Sequence, residues 1–181
     1  MHLAIASGNT NKVREIQAIL GQPVEQVKLD LSEIQAVEVA EVIRHKARAA
    51  FALTGQPVLV EDTGLYFHAW NGLPGALIRW FMDSVGNEGL CRMLDAFPDR
   101  SATARTCLGY FDGREEHVFT GEIGGSIALH PRGETGFGWD AIFIPAGWEK
   151  TFGEGTASEK DAISMRKLAV EGLRQHLAAL Q

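Results

Sequence analysis

The amino-acid sequence predicts an α/β chain folded as one domain over residues 1–181, on three observations. The apolar run Leu3-Ala4-Ile5-Ala6 passes through Ser7-Gly8-Asn9-Thr10-Asn11-Lys12 into Val13, Ile16, Ile19 and Leu20 at helical spacing, a strand–turn–helix unit. Thr103 to Phe111 and Glu116 to Ile123 flank an Asp112-Gly113 pair, the signal of a tight hairpin. Amphipathic stripes of helical period complete the set. With 181 residues, 45% of them hydrophobic, the chain can bury one sizeable core and is long enough to be drawn out into two lobes.

In chain order, Asn9 or Thr10 is placed to cap the first helix, and Gly21 and Pro23 end it. Free N–H groups and the positive end of the helix dipole favour an anion at such a turn, and Lys12 adds a mobile cation. Most capped helix starts bind nothing, and this turn is too short for a Walker A loop. Val27, Leu29 and Leu31 alternate as a second strand, with Glu33 in the polar turn after it. A helix from Val39 to Leu53 carries the stripe Val39, Val42, Ile43, Ala47, Ala50 and Leu53. Lys46 falls inside that stripe: it either snorkels outward or points from a core-facing helix at something anionic.

Val58-Leu59-Val60-Glu61-Asp62-Thr63-Gly64-Leu65 reads as a buried strand that stops at two carboxylates, a hydroxyl and a glycine. Acids beside a core call for a compensating cation or proton; the alternative is an exposed strand-to-loop junction. Gly72-Leu73-Pro74-Gly75 is a rigid turn into a helix that buries Leu77, Ile78, Phe81 and Val85, with Arg79 near its start. A shorter helix with Leu90, Met93, Leu94 and Phe97 ends before Pro98. Beyond the hairpin, Ser126 to Leu129 and Ala141 to Pro145 read as short strands around Gly136-Phe137-Gly138-Trp139-Asp140. Those two rings either form a stacking platform beside an acid or pack against the sheet. A long helix from Glu159 to Leu180, capped by Ser158, carries Met165, Leu168, Ala169, Leu173, Leu177 and Leu180 on its apolar stripe, with Lys160 and Arg166 in its first two turns.

The formal charge of −6 advertises no general polyanion surface, so no nucleic-acid partner is expected. A phosphorylated ligand would need local lysines, arginines or a metal. Cys91 and Cys107 form no CxxC pair and suit a reducing compartment. Met1 to Ala6 is too short for a signal segment and no apolar run reaches membrane-spanning length, so a cytoplasmic protein without a membrane partner is expected.

The histidines (His2, His45, His68, His117, His130 and His176) lack the spacing of a zinc helix, and no serine sits in a GxSxG elbow. What remains is a set of hard oxygen ligands (Glu33, Glu61, Asp62) and a set of dispersed cations (Lys12, Lys46, Arg79, Lys160, Arg166). Such oxygens suit Mg²⁺, and cations around it suit a polyphosphate, which points to metal-assisted phosphate chemistry on a nucleotide. Asp62-Thr63-Gly64 is also the triplet of aspartic proteases. With a single copy, that chemistry requires a symmetric dimer of a short, almost all-β subunit, and the predicted helices count against it.

Together these motifs resemble the inosine triphosphate pyrophosphatase family, which clears deaminated purine nucleoside triphosphates. The similarity is collinear and spans nearly the whole chain. It rests on Ser7-Gly8-Asn9-x-x-Lys12, Glu61-Asp62-Thr63-Gly64-Leu65 with Gly72-Leu73-Pro74-Gly75, Phe137-Gly138-Trp139-Asp140, and Ser158-Glu159-Lys160-x-Ala162-Ile163-Ser164-x-Arg166. The resemblance implies an elongated α/β fold with a mixed central sheet flanked by helices, a substrate cleft between two lobes, and a homodimer. It implies Mg²⁺-dependent hydrolysis of ITP, dITP or XTP to the monophosphate and pyrophosphate. Asp62 would be general base and metal ligand, with Glu33 helping to hold Mg²⁺. Ser7, Gly8, Asn9, Thr10, Asn11, Lys12, Lys46, Thr63 and Arg79 would hold the triphosphate. Phe137 would stack on the base, and Gly138, Trp139, Asp140, Lys160 and Arg166 would shape or read its edge. The chain departs from the family at Met165, where a histidine is usual; methionine packs in the same space but donates no hydrogen bond. That departure motivates an alternative, a nucleotide-binding module without turnover.

Overall fold

Nine residues rich in β-branched and aromatic side chains, Leu59–Phe67, form the middle strand β3. They build a strand that does not stop at the acids: Glu61 and Asp62 lie inside it. In this computed structural model, residues 3–180 are described. Met1, with His2, which begin the N-terminal stretch read above, and Gln181 lie outside them. The other strands are β1 (Ala4–Ala6), β2 (Glu25–Val27), β4 (Pro74–Gly75), β5 (Ser101–Phe111), β6 (Glu116–Ile127) and β7 (Phe143–Pro145). The helices are α1 (Thr10–Leu20), α2 (Val39–Thr54), α3 (Ile78–Met93), α4 (Ala157–Ile163) and α5 (Met165–Ala179).

The seven strands make one mixed sheet in the order β2-β1-β3-β5-β6-β7, with β4 paired to the far end of β3. β1 runs parallel to β2 and β3; the remaining pairs are antiparallel. The predicted α/β class with a mixed central sheet and flanking helices is what the chain forms. Five helices also rule out the almost all-β subunit that a dimeric aspartic protease requires.

Alternation along β3 sorts the core. Odd positions face one side: Leu59 joins Ile5, Val13, Ile16 and Leu173 under α1 and α5, and Leu65 and Phe67 join Ile78, Leu90 and Trp139 under α3. Even positions face α2, where Val58, Val60 and Tyr66 pack on Val39, Ile43, Ala47 and Ala50. Each such fully buried Leu, Ile or Phe contributes about 1.5–3 kcal/mol. Glu61 and Thr63 therefore fall in a seam between two apolar clusters on one face, and Asp62 falls on the other.

Several elements differ from the sequence-based expectation. β2 ends at Val27, so Leu29 and Leu31 belong to a coil running to Glu38. Ser126 continues β6, which runs unbroken to Ile127, paired with β5 from Glu116 as far as Ser126 and with β7 at its end. Residues 78–93 hold the two expected helical segments, separated at Gly86, whose φ of 67° only glycine adopts readily, but the second ends at Met93 rather than running to Phe97. Val85 and Leu53, expected in core stripes, are exposed. The C-terminal helix is two helices. Thr156, not Ser158, caps α4 through a capping box with Glu159, and Ser164 ends α4 in extended conformation while its side chain caps α5. Leu168 and Leu180 consequently face outward.

Candidate active site

The cleft follows from where β1 stops. Its last pairing is Ala6 with Val60, so from Glu61 to Gly64, before β4 takes it up at Leu65, this edge of β3 has no strand partner, and the chain turns away through Ser7, Gly8 and Asn9. Asn9 caps α1, its Oδ1 accepting the N–H groups of Asn11 (3.0 Å) and Lys12 (3.2 Å), while Ser7 Oγ accepts the Asn9 N–H. The capped turn sets Lys12 against the open edge of β3. There its Nζ lies 2.8 Å from Glu61 Oε2 and 3.5 Å from Asp62 Oδ1, bridging carboxylates that leave the strand in opposite directions. Burial disfavours the ammonium, but Glu61 and Asp62 outweigh it and raise the Lys12 pKa.

On the odd face, Glu61 is closed off from solvent. It accepts from Arg166 Nη2 at 2.9 Å and from Thr63 Oγ1 at 2.7 Å. Burial favours its protonation, yet Lys12 and Arg166 hold its pKa well below the usual carboxylate range. An ionised carboxylate only accepts, so the Thr63 hydroxyl donates to Glu61. It must then accept from Arg166 (3.1 Å) and from Thr106 Oγ1 (2.7 Å). The Thr63 proton is thereby committed inside the protein.

On the even face, Asp62 keeps its side chain 21% exposed to the cleft and accepts the Thr63 N–H at 2.9 Å. Burial raises its pKa, with Lys12 and Lys46 pulling the other way. Lys46, 8% exposed, does not snorkel: its Nζ donates to Glu33 Oε1 at 2.6 Å and approaches the Glu61 carbonyl at 3.5 Å. Burial opposes ionisation of Glu33, but the Lys46 hydrogen bond and charge prevail and lower its pKa. Arg79 is exposed on α3, 3.5 Å from Asp83, at the cleft rim.

The far end of the cleft holds the Phe137–Asp140 loop. Asp140 is buried, accepts the Phe137 N–H at 2.9 Å and takes the Lys160 ammonium at 2.6 Å. The same ammonium stands 4.5 Å from the Phe137 ring centroid, a cation–π contact that fixes one face of the ring. Trp139 sits in the core, edge-on to Phe143 at 5.6 Å, so of the two aromatic rings only Phe137 is partly open. Met165 is buried among Leu65, Trp139 and Ile142. Ser7 to Lys12, Glu33, Lys46, Asp62, Thr63, Arg79, Phe137 to Asp140, Lys160, Met165 and Arg166 all line one cleft of about 1160 Å³.

Sequence inspection missed Glu15 and Thr106. Glu15 is 6% exposed on α1 and binds both Lys160 (2.9 Å) and Arg166. A local signal existed: Glu15 lies three residues after Lys12, hence on the same helical face.

For a magnesium ion, the donor chemistry fits. Both Glu61 oxygens are engaged by cations and a hydroxyl, which leaves the carboxylates of Asp62 and Glu33 as hard oxygens at the cleft. Mg²⁺ takes one or two carboxylates and completes its shell with water and phosphate oxygens, so no cage of protein ligands is needed.

The fold and site define a mixed-sheet α/β protein with a long polar cleft. The chain belongs to the Ham1 family, whose model matches residues 3–176. It is 46% identical over 183 residues to "Inosine triphosphate pyrophosphatase" of Yarrowia lipolytica, covering 98% of this chain and 96% of that protein. It is 43% identical over 175 residues to "dITP/XTP pyrophosphatase" of Methanopyrus kandleri, covering 94% of this chain and 93% of that protein. The solved Ham1 protein of Staphylococcus aureus superposes with a TM-score of 0.87 at 27% identity, over the whole of both chains. The expected resemblance to inosine triphosphate pyrophosphatases is thus borne out. No helix among the described residues is long and apolar enough to cross a membrane.

Proposed function

We propose that this chain hydrolyses deaminated purine nucleoside triphosphates (ITP, dITP and XTP) to the monophosphate and pyrophosphate, with Mg²⁺. The observation that supports it most directly is Lys12: a cation on a capped helix start, beside Asp62, at one end of a cleft whose other end carries the Phe137 ring and a buried Asp140–Lys160 pair. Relatives named for ITP and for dITP/XTP support the substrate class.

In this scheme the triphosphate lies along Ser7 to Lys12, with Lys46 and Arg79 as further cations, and the base lies on the free face of Phe137. Asp62, partly exposed and raised in pKa by burial, orients a water and takes its proton as that water attacks the α-phosphorus. Lys12 and Lys46 stabilise charge on the departing pyrophosphate. Asp62 and Glu33 would hold Mg²⁺, which when bound would neutralise phosphate charge. The buried partners of Lys160 limit how it can meet the base edge, and a mismatched amino group there leaves polar groups unpaired, a discrimination of several kcal/mol. The chain acts as a homodimer in the cytoplasm, where its two buried free cysteines suit a reducing environment.

Incubation with ITP and Mg²⁺ tests the scheme: IMP and pyrophosphate are expected, with turnover lost on chelation and restored by Mg²⁺. Release of orthophosphate would overturn it. ITP binding without turnover would establish the binding module that Met165 motivates. Sedimentation equilibrium tests the dimer.

A further inference from the structure

Phe137 is flanked by Gly136 and Gly138, both in the left-handed region at φ 78° and 62°. Glycine permits such a backbone but does nothing to hold it, so the loop that carries the ring needs ties. Two come from within the loop. The Asp140 carboxylate accepts the Phe137 N–H at 2.9 Å, and the Phe137 carbonyl accepts the Asp140 N–H at 3.2 Å. Together they close a turn around Gly138 and Trp139. The Gly138 carbonyl, in the middle of that turn, takes part in neither bond.

Its partner comes from α3. Asn87 follows the break at Gly86, and its Nδ2 donates to the Gly138 carbonyl at 2.8 Å. A carbonyl at that distance requires the N–H end of the amide, because the oxygen end would repel it. Asn87 Oδ1 has no hydrogen-bond partner among the described residues, so its side chain serves the loop through that single donation. Asn87 stands outside the cleft lining, to which α3 contributes Arg79, Trp80, Met82 and Asp83. Met82 Sδ is 4.0 Å from where a Cβ on Gly138 would lie, a second approach of α3 to the same glycine. Gly138 is exposed, so water can replace Asn87 at its carbonyl with little loss of stability. Water satisfies the carbonyl without fixing where it points. What the amide supplies is direction.

We infer that Asn87 is a positioning residue for base recognition: by holding the Gly138 carbonyl it sets the Phe137 ring on which the base lies. The inference deepens the proposed nucleotide function and rests on it. Asn87 then acts on ligands that carry a base, through Phe137, and not on the phosphate-holding end of the cleft.

Wild type is compared with Asn87→Ala, Asn87→Asp, Phe137→Ala, and the double variant of Asn87→Asp with Phe137→Ala. Asn87→Asp keeps the shape and replaces the donor by an acceptor. The readouts are kcat and KM for ITP with Mg²⁺, Kd for IMP and for pyrophosphate by calorimetry, and the urea midpoint. In both single Asn87 variants, KM for ITP and Kd for IMP rise about fivefold, the scale of one hydrogen bond. Their kcat, pyrophosphate affinity and urea midpoint stay at the wild-type values. Once Phe137 is alanine, adding Asn87→Asp changes KM no further, because the group it positions is gone. A wild-type KM in either Asn87 variant overturns the inference, as does a loss that persists in full without the Phe137 ring. Equal weakening of pyrophosphate, or a lowered urea midpoint, overturns it too and makes Asn87 a structural residue. In each of these cases wild type still turns over ITP, and the nucleotide function stands. Wild-type protein that neither binds nor hydrolyses ITP removes that function, and the inference with it.

Discussion

Lys160 Nζ stands 2.9 Å from Oε1 of Glu15, a carboxylate 145 residues earlier in the chain, and both side chains are almost wholly buried. The other Glu15 oxygen takes Arg166, which continues to Glu61 and so to Lys12. From Lys12 to Asp140 the charges alternate without interruption: Lys12, Glu61, Arg166, Glu15, Lys160, Asp140. From Glu61 to Lys160 each buried charge has an opposite charge on both sides, and the buried Asp140 ends the series against Lys160 and the Phe137 N–H, which lets a polar seam cross the interior.

Replacing Glu15 by alanine leaves two buried cations short of a partner. Such a break costs about 3–5 kcal/mol, so Glu15→Ala is expected to lower the urea midpoint markedly without changing the slope of the transition. Equilibrium denaturation checks this, and a midpoint equal to wild type would deny the seam a structural role.

Asp62→Asn keeps shape and hydrogen bonding but removes the carboxylate proposed as the base. Turnover of ITP is expected to fall at least about 100-fold while ITP still binds, as read by steady-state kinetics beside calorimetry. An asparagine variant near wild-type activity would remove Asp62 from that role.

Acid stability should report Glu61. Its folded pKa is depressed below the ordinary 4.5, so its contribution is fully present above that value and is lost as the pH falls through the folded value. Asp62 and Asp140 act with the opposite sign: their pKa values are raised in the fold, so what they contribute is lost as pH rises through those values. Between pH 5 and 2, wild-type unfolding free energy should fall more steeply than that of Glu61→Gln, measured by urea titration at each pH. Parallel curves would contradict it.

Gly121 tests the close approach of α5 to the sheet. A Cβ there would fall on the Met165 carbonyl and come within 2.6 Å of the Ala169 nitrogen and 2.8 Å of Leu168 Cβ. Backbone cannot yield as a flexible side chain would, so Gly121→Ala is expected to cost about 2 kcal/mol or more by thermal or urea unfolding. An alanine variant as stable as wild type would show that α5 can shift freely.

Much of the fold was legible because its signals are local. The Asn9 cap, the α2 stripe and the Asp112-Gly113 turn each declare themselves within a few residues. What escaped depends on distant partners. Nothing near Ser164 marks it as a helix break, since serine is tolerated inside helices; only its extended backbone and its bond to Lys167 reveal the cap. Val85 and Leu53 fit their stripes by period and still face outward, because Gly86 breaks one helix and the other ends at Gly55. For the site, a lysine in an apolar stripe correctly pointed inward, whereas Glu15 was hidden because its partners Lys160 and Arg166 come from the other end of the chain.

That separation has a consequence for the order in which the molecule is made. The β5–β6 hairpin joins residues close in sequence and can form while later residues are still being added. The seam cannot: Arg166 and Glu15 are 151 residues apart, and until α4 and α5 emerge, Glu15 lacks both of its cations and Glu61 has only Lys12. A ribosome-bound chain halted before Lys160 would thus carry sheet but no competent cleft, and clipping the last two helices would silence a protein whose Asp62 is untouched.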